Sequence, residues 1–170
     1  MELKNYIREI PDFPKPGINF KDITPLLKSP DALASTFEQL AEPFRHKKID
    51  FVAGTESRGF MFGIGVAKEL NVGFIPIRKK GKLPAATFSE DYELEYGTDS
   101  LEIHKDAIDK GQRILLVDDL LATGGTMKAT AKLVESSGGE VVSCCFVIEL
   151  GFLNGKEVLS GYETRSLIKY

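Results

Sequence analysis

The sequence has no apolar run long enough to cross a bilayer. Its opening, MELKNYIREI, carries two glutamates and no unbroken apolar stretch, so no secretory signal is expected. Cysteine is scarce, with only the adjacent pair Cys144 and Cys145 inside VVSCCFVI. A disulfide between chain neighbours is sterically awkward. Both are therefore expected as buried thiols of a core strand, in a reducing, cytoplasmic setting. Of the two histidines, His46 sits in a basic, solvated run and His104 has no companion at metal-ligand spacing. An excess of positive charge is also lacking: the net charge is -3, which argues against a nucleic-acid partner. No repeat or low-complexity segment is present. A GxxxxGK loop followed by Ser or Thr occurs nowhere, which excludes a P-loop nucleotide site. No GxGxxG follows a strand, and Gly63-Ile64-Gly65 falls within a helical stretch, which argues against a dinucleotide fold.

What is present is an ordinary globular balance, 42% hydrophobic and 28% charged, over 170 residues that suit one domain. Leu3, Ile7 and Ile10 share a helical face, predicting a helix over Leu3–Ile10. The proline-marked stretch DFPKPGINFKDITPLL, Asp12 to Leu27, is expected as an ordered, extended loop. Ser29-Pro30-Asp31 is a helix start, a cap followed by Pro at the first helical position. Leu33, Phe37, Leu40 and Phe44 give that helix an apolar stripe.

Strands then alternate with helices. Phe51–Gly54, Phe74–Ile77, Ile114–Val117 and Val141–Leu150 read as strands, with Pro76 at an irregular point of the second. Gly59–Leu70 and Met127–Ser137 read as helices, the latter closed by Gly138-Gly139. The order predicts an α/β fold with a mostly parallel sheet covered on both faces. Between the second and third strands, Tyr92, Leu94 and Tyr96 alternate with Glu93 and Glu95. Gly97-Thr98-Asp99 supplies turn chemistry, and Leu101 and Ile103 alternate again, predicting a hairpin. The polar stretch Gly81 to Asp91 before it is a candidate mobile loop.

The chemistry is written most clearly in RILLVDDLLATGGTMKATAKLVESSGG, Arg113 to Gly139: a strand, an acidic pair, a small-residue turn and a helix. In such sheets ligands bind beyond the carboxyl ends of the strands. Ala122-Thr123-Gly124-Gly125-Thr126 lies where a helix begins. Free backbone N–H groups and the helix dipole favour an anion there, and the threonine hydroxyls add donors. Asp118 and Asp119 can accept hydrogen bonds from a vicinal diol. A diol acceptor beside a phosphate cradle suits ribose 5-phosphate. Two further anion features lie on the same side of the sheet. Gly54-Thr55-Glu56-Ser57-Arg58-Gly59 is a second strand-to-helix turn, in which Arg58 offers paired donors. Arg78-Lys79-Lys80-Gly81-Lys82 concentrates positive charge in an acidic chain.

VDDLLATGGT resembles the phosphoribosyl pyrophosphate (PRPP) motif of the type I phosphoribosyltransferases in order, spacing and strand context. DFPKPGINFKDITPLL, GTESRGFMFG, IRKKGKLPAATF and YELEYGTDSLEIHKDAI extend the resemblance over nearly the whole chain, toward the adenine-using branch of that family. The resemblance implies a central, mostly parallel sheet flanked by helices, in a single domain spanning 1–170. It adds an N-terminal helix and hood over about 1–28 and a flexible lid hairpin over about 79–105. It assigns the ribose hydroxyls to Asp118 and Asp119, and the 5′-phosphate to Ala122, Thr123, Gly124, Gly125 and Thr126. Glu56, Ser57 and Arg58 would hold pyrophosphate, with a cis Glu56–Ser57 bond. Arg78, Lys79, Lys82 and Tyr96 would also face PRPP or AMP. Phe20 would stack on the purine, with backbone groups near Asn19 and Lys21 reading its edge.

Spacing cannot choose between Glu93 and Glu95, which share a side of the hairpin. The resemblance selects Glu95 as the catalytic carboxylate, beside Arg58. Ala122 stands where hypoxanthine-guanine enzymes carry an acidic residue, which favours adenine. The implied reaction joins adenine to PRPP, giving AMP and pyrophosphate in purine salvage. Mg²⁺ would be held mainly by PRPP and water, and the chain would form a homodimer. The competing class, a PRPP-sensing regulator, would need an added nucleic-acid-binding domain.

Overall fold

The computed structural model of the chain describes residues 1–94 and 97–170. Its N-terminal part departs from the expected helix and loop. A single 3-10 turn spans Leu3–Tyr6, followed by β1 (Arg8–Ile10), which pairs antiparallel with β2 (Phe20–Asp22). Leu3 and Ile7 are buried as their spacing suggests, but Ile10 belongs to the strand. An i, i+4 pair is equally compatible with a turn that ends between its members. Within the expected loop, Pro25 enters the first turn of α1 (Thr24–Lys28), where its missing N–H costs nothing. Asp22 fastens this start. Its carboxylate accepts from the Thr24 hydroxyl and N–H at 2.5 and 2.9 Å and pairs with Arg8 at 2.6 Å. Those Thr24 bonds, then Arg8, hold its pKa down at about 2.

Ser29 caps α2 (Pro30–Ala41), its hydroxyl accepting from Ala32 N at 3.3 Å. Leu40 and Phe44 are buried and Leu33 and Phe37 pack against them, as the stripe predicts. The strands β3 (Phe51–Thr55), β4 (Gly73–Lys79), β7 (Arg113–Leu121), β8 (Glu140–Glu149) and β9 (Thr164–Lys169) run parallel. The antiparallel hairpin of β5 (Thr87–Glu93) and β6 (Thr98–His104) adds to one edge. The sheet order is β5-β6-β4-β3-β7-β8-β9. β6 meets β4 only at Arg78 and Lys79, so Pro76 removes no donor from a ladder on that side. Thr98 and Asp99, expected as turn residues, instead pair with Glu93 and Tyr92 in the ladder. Much of the expected loop from Gly81 to Asp91 is strand, since Thr87–Asp91 pair with Ser100–His104.

Alternate residues of the central strands feed two cores. Leu115, Val117, Cys145 and Val147 join residues of α1, α2 and α3 (Arg58–Leu70) on one face. Ile114, Leu116, Cys144 and Phe146 join α4 (Gly125–Ser136) on the other. The two thiols therefore point apart, unpaired, and burial pushes each up to about 12. The last twenty residues, on which the sequence patterns gave no reading, supply α5 (Gly155–Val158) and the edge strand β9. Among the described residues no helix is long and apolar enough to cross a membrane.

Candidate active site

The site lies where neighbouring strands send their helices to opposite faces. β3 leads into α3 on the first core's side, and β7 leads into α4 on the second. That divergence opens a crevice at the carboxyl ends of the strands. β3 pairs with β7 only as far as Val117, whereas β7 continues beside β8 to Leu121. Asp118 and Asp119 thus lie inside β7, on the stretch left open when β3 departs, rather than past the strand's tip.

A cavity of about 380 Å³ fills this crevice. It gathers Glu56, Ser57, Arg58, Asp118, Asp119, Ala122, Thr123, Gly124 and Thr126. Leu120, Leu121, Met127 and Phe146 line it too, unforeseen from the sequence. Phe146 arrives through the register of β8, which places it opposite Asp118, and no local motif reports such a pairing. Gly125 opens α4 just behind the cavity wall. Gly124, at φ 87°, precedes the helix, and no side chain caps the first-turn N–H groups. Those donors remain available to an anion.

The cavity lining sets one cation, Arg58, against three carboxylates, Glu56, Asp118 and Asp119. Arg58 Nε lies 2.9 Å from Asp119 Oδ2. Asp118 Oδ1 accepts from Asp119 N at 2.8 Å. Burial raises the pKa of Asp118 well above the usual carboxylate range, helped by the neighbouring Asp119 charge. Burial raises Asp119 as well, opposed by Arg58. Gly59 makes the close packing possible, because a Cβ there would come within 2.9 Å of Asp118 Oδ1. The two turns are also tied beneath the cavity. Thr130 donates its hydroxyl hydrogen to Thr126 O at 2.9 Å, so Thr55 must donate in the 2.9 Å bond between the two hydroxyls.

The Glu56–Ser57 peptide bond is cis. Arg78 and Lys79 stand outside the cavity and reach it through Glu56, whose Oε1 accepts from Lys79 N at 2.6 Å and lies 3.4 Å from Arg78 Nε. The Lys79 ammonium pairs with Asp99 of the hairpin. Lys82 is exposed and does not line the cavity. Nor do Asn19, Phe20 and Lys21. Phe20 is half-buried and packs edge-on against Phe13 at 5.3 Å. The side chains of Asn19 and Lys21 turn to Glu9, at 2.6 and 2.9 Å. Glu95 and Tyr96 lie outside the described residues. The flanking hairpin leans on the phosphate-loop helix through Lys132–Glu90 at 3.0 Å. Among the described residues no group of three or more His, Cys, Asp or Glu could hold a metal ion. Asp118 and Asp119 could give only one or two oxygens to an ion carried on a substrate's phosphates.

This fold and crevice define a phosphoribosyltransferase, and residues 21–162 match the Phosphoribosyl transferase domain. The adenine phosphoribosyltransferase of Alkaliphilus metalliredigens is 61% identical over 170 residues, covering 100% of both chains. The crystal structure of the Thermoanaerobacter pseudethanolicus adenine phosphoribosyltransferase superposes with a TM-score of 0.95 at 60% identity, covering 99% of this chain and 98% of that one. The Saccharomyces cerevisiae enzyme, solved with adenine and an imino-altritol bisphosphate, gives 0.91 at 43% identity, covering 98% and 96%. The chain belongs to the adenine phosphoribosyltransferase family.

Proposed function

We propose that the chain transfers the ribose 5-phosphate of PRPP to adenine, releasing pyrophosphate and forming AMP. The observation that carries this reading is the acidic pair, the Ala122–Thr126 bend and Arg58 converging on one cavity. A vicinal diol needs charged acceptors, and Asp118 and Asp119 supply them. A terminal phosphate needs N–H donors, and the uncapped start of α4 supplies them. Arg58, freed from Asp119 when the diol takes its place, would turn to the pyrophosphate and stabilise it as it departs.

Glu95 would exchange a proton with the purine during attack on the ribose carbon, and Phe20 would cover the purine face. Magnesium, brought in on PRPP, would supply further neutralisation of the leaving group. The lid over about 79–105 would close and exclude water, which otherwise competes for the electron-poor sugar. Lys79 would then meet PRPP only if it leaves Asp99, whereas Lys82 would swing in from solvent. A cytoplasmic location and a homodimer belong to the same proposal; the free buried thiols suit a reducing compartment.

The experiment is AMP formation from PRPP and Mg²⁺ with adenine, guanine and hypoxanthine offered separately. Adenine should be used at least about 100-fold more efficiently in kcat/KM, since edge-reading hydrogen bonds reject a mispaired purine by that order or more. Equal use of guanine or hypoxanthine would remove adenine from the proposal.

A further inference from the structure

The stretch from Asn154 to Val158 has no place in the chemistry above, yet it is pressed against the back of the Ala122–Thr126 bend. Gly155, the first residue of α5, is buried. A Cβ on it would fall inside the 3.0 Å limit of real contacts to Ala122 O, and would lie 2.9 Å from Leu121 Cδ1. The packing is reciprocal: a Cβ on Gly124 would meet Gly155 O at 2.6 Å and Val158 Cβ at 3.2 Å. Two backbones therefore touch with no side chain between them. The two glycines differ in one respect. Gly124 needs its residue type for a positive φ of 87°, whereas Gly155 has no positive φ and is required by space alone. The preceding Asn154, at φ 54°, turns the chain so that Gly155 leads into the contact.

Resting on the reading of that bend as the 5′-phosphate cradle, we propose that Gly155 is a positioning residue for substrate phosphate. Its bare Cα lets α5 act as a fixed stop behind the bend, holding the first-turn N–H groups of α4 at the spacing a phosphate requires. The atoms nearest a Cβ on Gly155 belong to Leu121 and Ala122, and those nearest one on Gly124 to Gly155 and Val158, with the Glu56–Arg58 turn not among them. The stop's influence should therefore be confined to ligands carrying a 5′-phosphate and spare pyrophosphate.

Gly155→Ala tests this, with AMP and pyrophosphate as separate probes in titration calorimetry and as product inhibitors. The added methyl must displace the bend, and a misplacement approaching an ångström costs up to about 100-fold. The Kd for AMP and the KM for PRPP are expected to rise about 10- to 100-fold, with pyrophosphate inhibition unchanged within about twofold. Unaltered AMP affinity, or equal loss of AMP and pyrophosphate, would overturn the assignment. Should Gly155→Ala not fold, Val158→Gly decides, because Val158 is 43% exposed and glycine removes the Cβ that faces Gly124. A selective loss of AMP affinity of a few fold supports the stop, and an unchanged value refutes it. Wild-type protein that fails to bind AMP would instead refute the cradle itself, which separates the two failures.

Discussion

Replacing Glu95 by glutamine is expected to lower kcat by about 10²- to 10⁴-fold while the KM for PRPP stays within a few fold, the scale of a lost general acid–base group. Gln keeps the shape and removes only the titrating carboxyl, so PRPP should still be held by Asp118, Asp119 and the bend. Glu93, the last residue of β5, has its carbonyl 3.9 Å from where a Cβ on Gly125 would sit. The end of β5 therefore lies next to the start of α4. Glu93 is the internal control. It is exposed, and Glu93→Gln should leave turnover unchanged. A loss in Glu93→Gln with normal Glu95→Gln would exchange their roles, and normal turnover in both would remove the carboxylate from the mechanism. Steady-state kinetics at saturating PRPP reads each outcome.

The double substitution Asp118→Asn, Asp119→Asn should lower kcat/KM for PRPP by about 10²- to 10⁴-fold, and each single change by about 10- to 100-fold, given roughly 1.5–3 kcal/mol for a hydrogen bond to a charged group. The free protein should not be destabilised in step. Both carboxyl groups have pKa values raised by burial, so the folded state binds protons more readily than the unfolded one. Between the ordinary carboxylate range and the raised values, such groups contribute less stability as pH rises. An uncharged amide removes that dependence, so Asp118→Asn should keep or raise Tm at neutral pH. The same shift has a ligand counterpart. AMP affinity should weaken as pH falls through the raised range, before ordinary carboxylates titrate. Loss of AMP binding with an intact or higher Tm marks the pair as functional. A parallel fall in both would mark it as structural.

The parts of this site that could be read in advance are those written contiguously. Asp118 through Thr126 is one run in which strand, acid pair and bend follow in order, and Glu56-Ser57-Arg58 repeats the strand-to-helix logic. Parallel pairing was legible because buried strands such as Ile114–Val117 are apolar without alternation. What escaped was set by contacts between distant segments. Phe146 reaches the cavity only through the register of β7 against β8. Gly155 meets the bend from thirty-odd residues away, and an Asn-Gly pair by itself signals only a turn. Leu3–Ile10 differs from the expected helix because spacing of four residues fits a helix and also a 3-10 turn running into a strand. Gly97-Thr98-Asp99 carries turn chemistry in the sequence, yet cross-strand pairing with Glu93 and Tyr92 overrides the local preference of Thr98 and Asp99 and puts them in the ladder. The basic run Arg78–Lys82 looks like one field in sequence; packing splits it, giving Arg78 and Lys79 to Glu56, Lys79 also to Asp99, and leaving Lys82 in solvent.

The most direct measurement is a crystal structure of the chain with AMP. The 5′-phosphate should sit on the N–H groups of Thr123–Thr126 and the ribose hydroxyls on Asp118 and Asp119, with Arg58 released from Asp119. A nucleotide whose phosphate rests elsewhere, leaving the Arg58–Asp119 pair intact, would contradict the account.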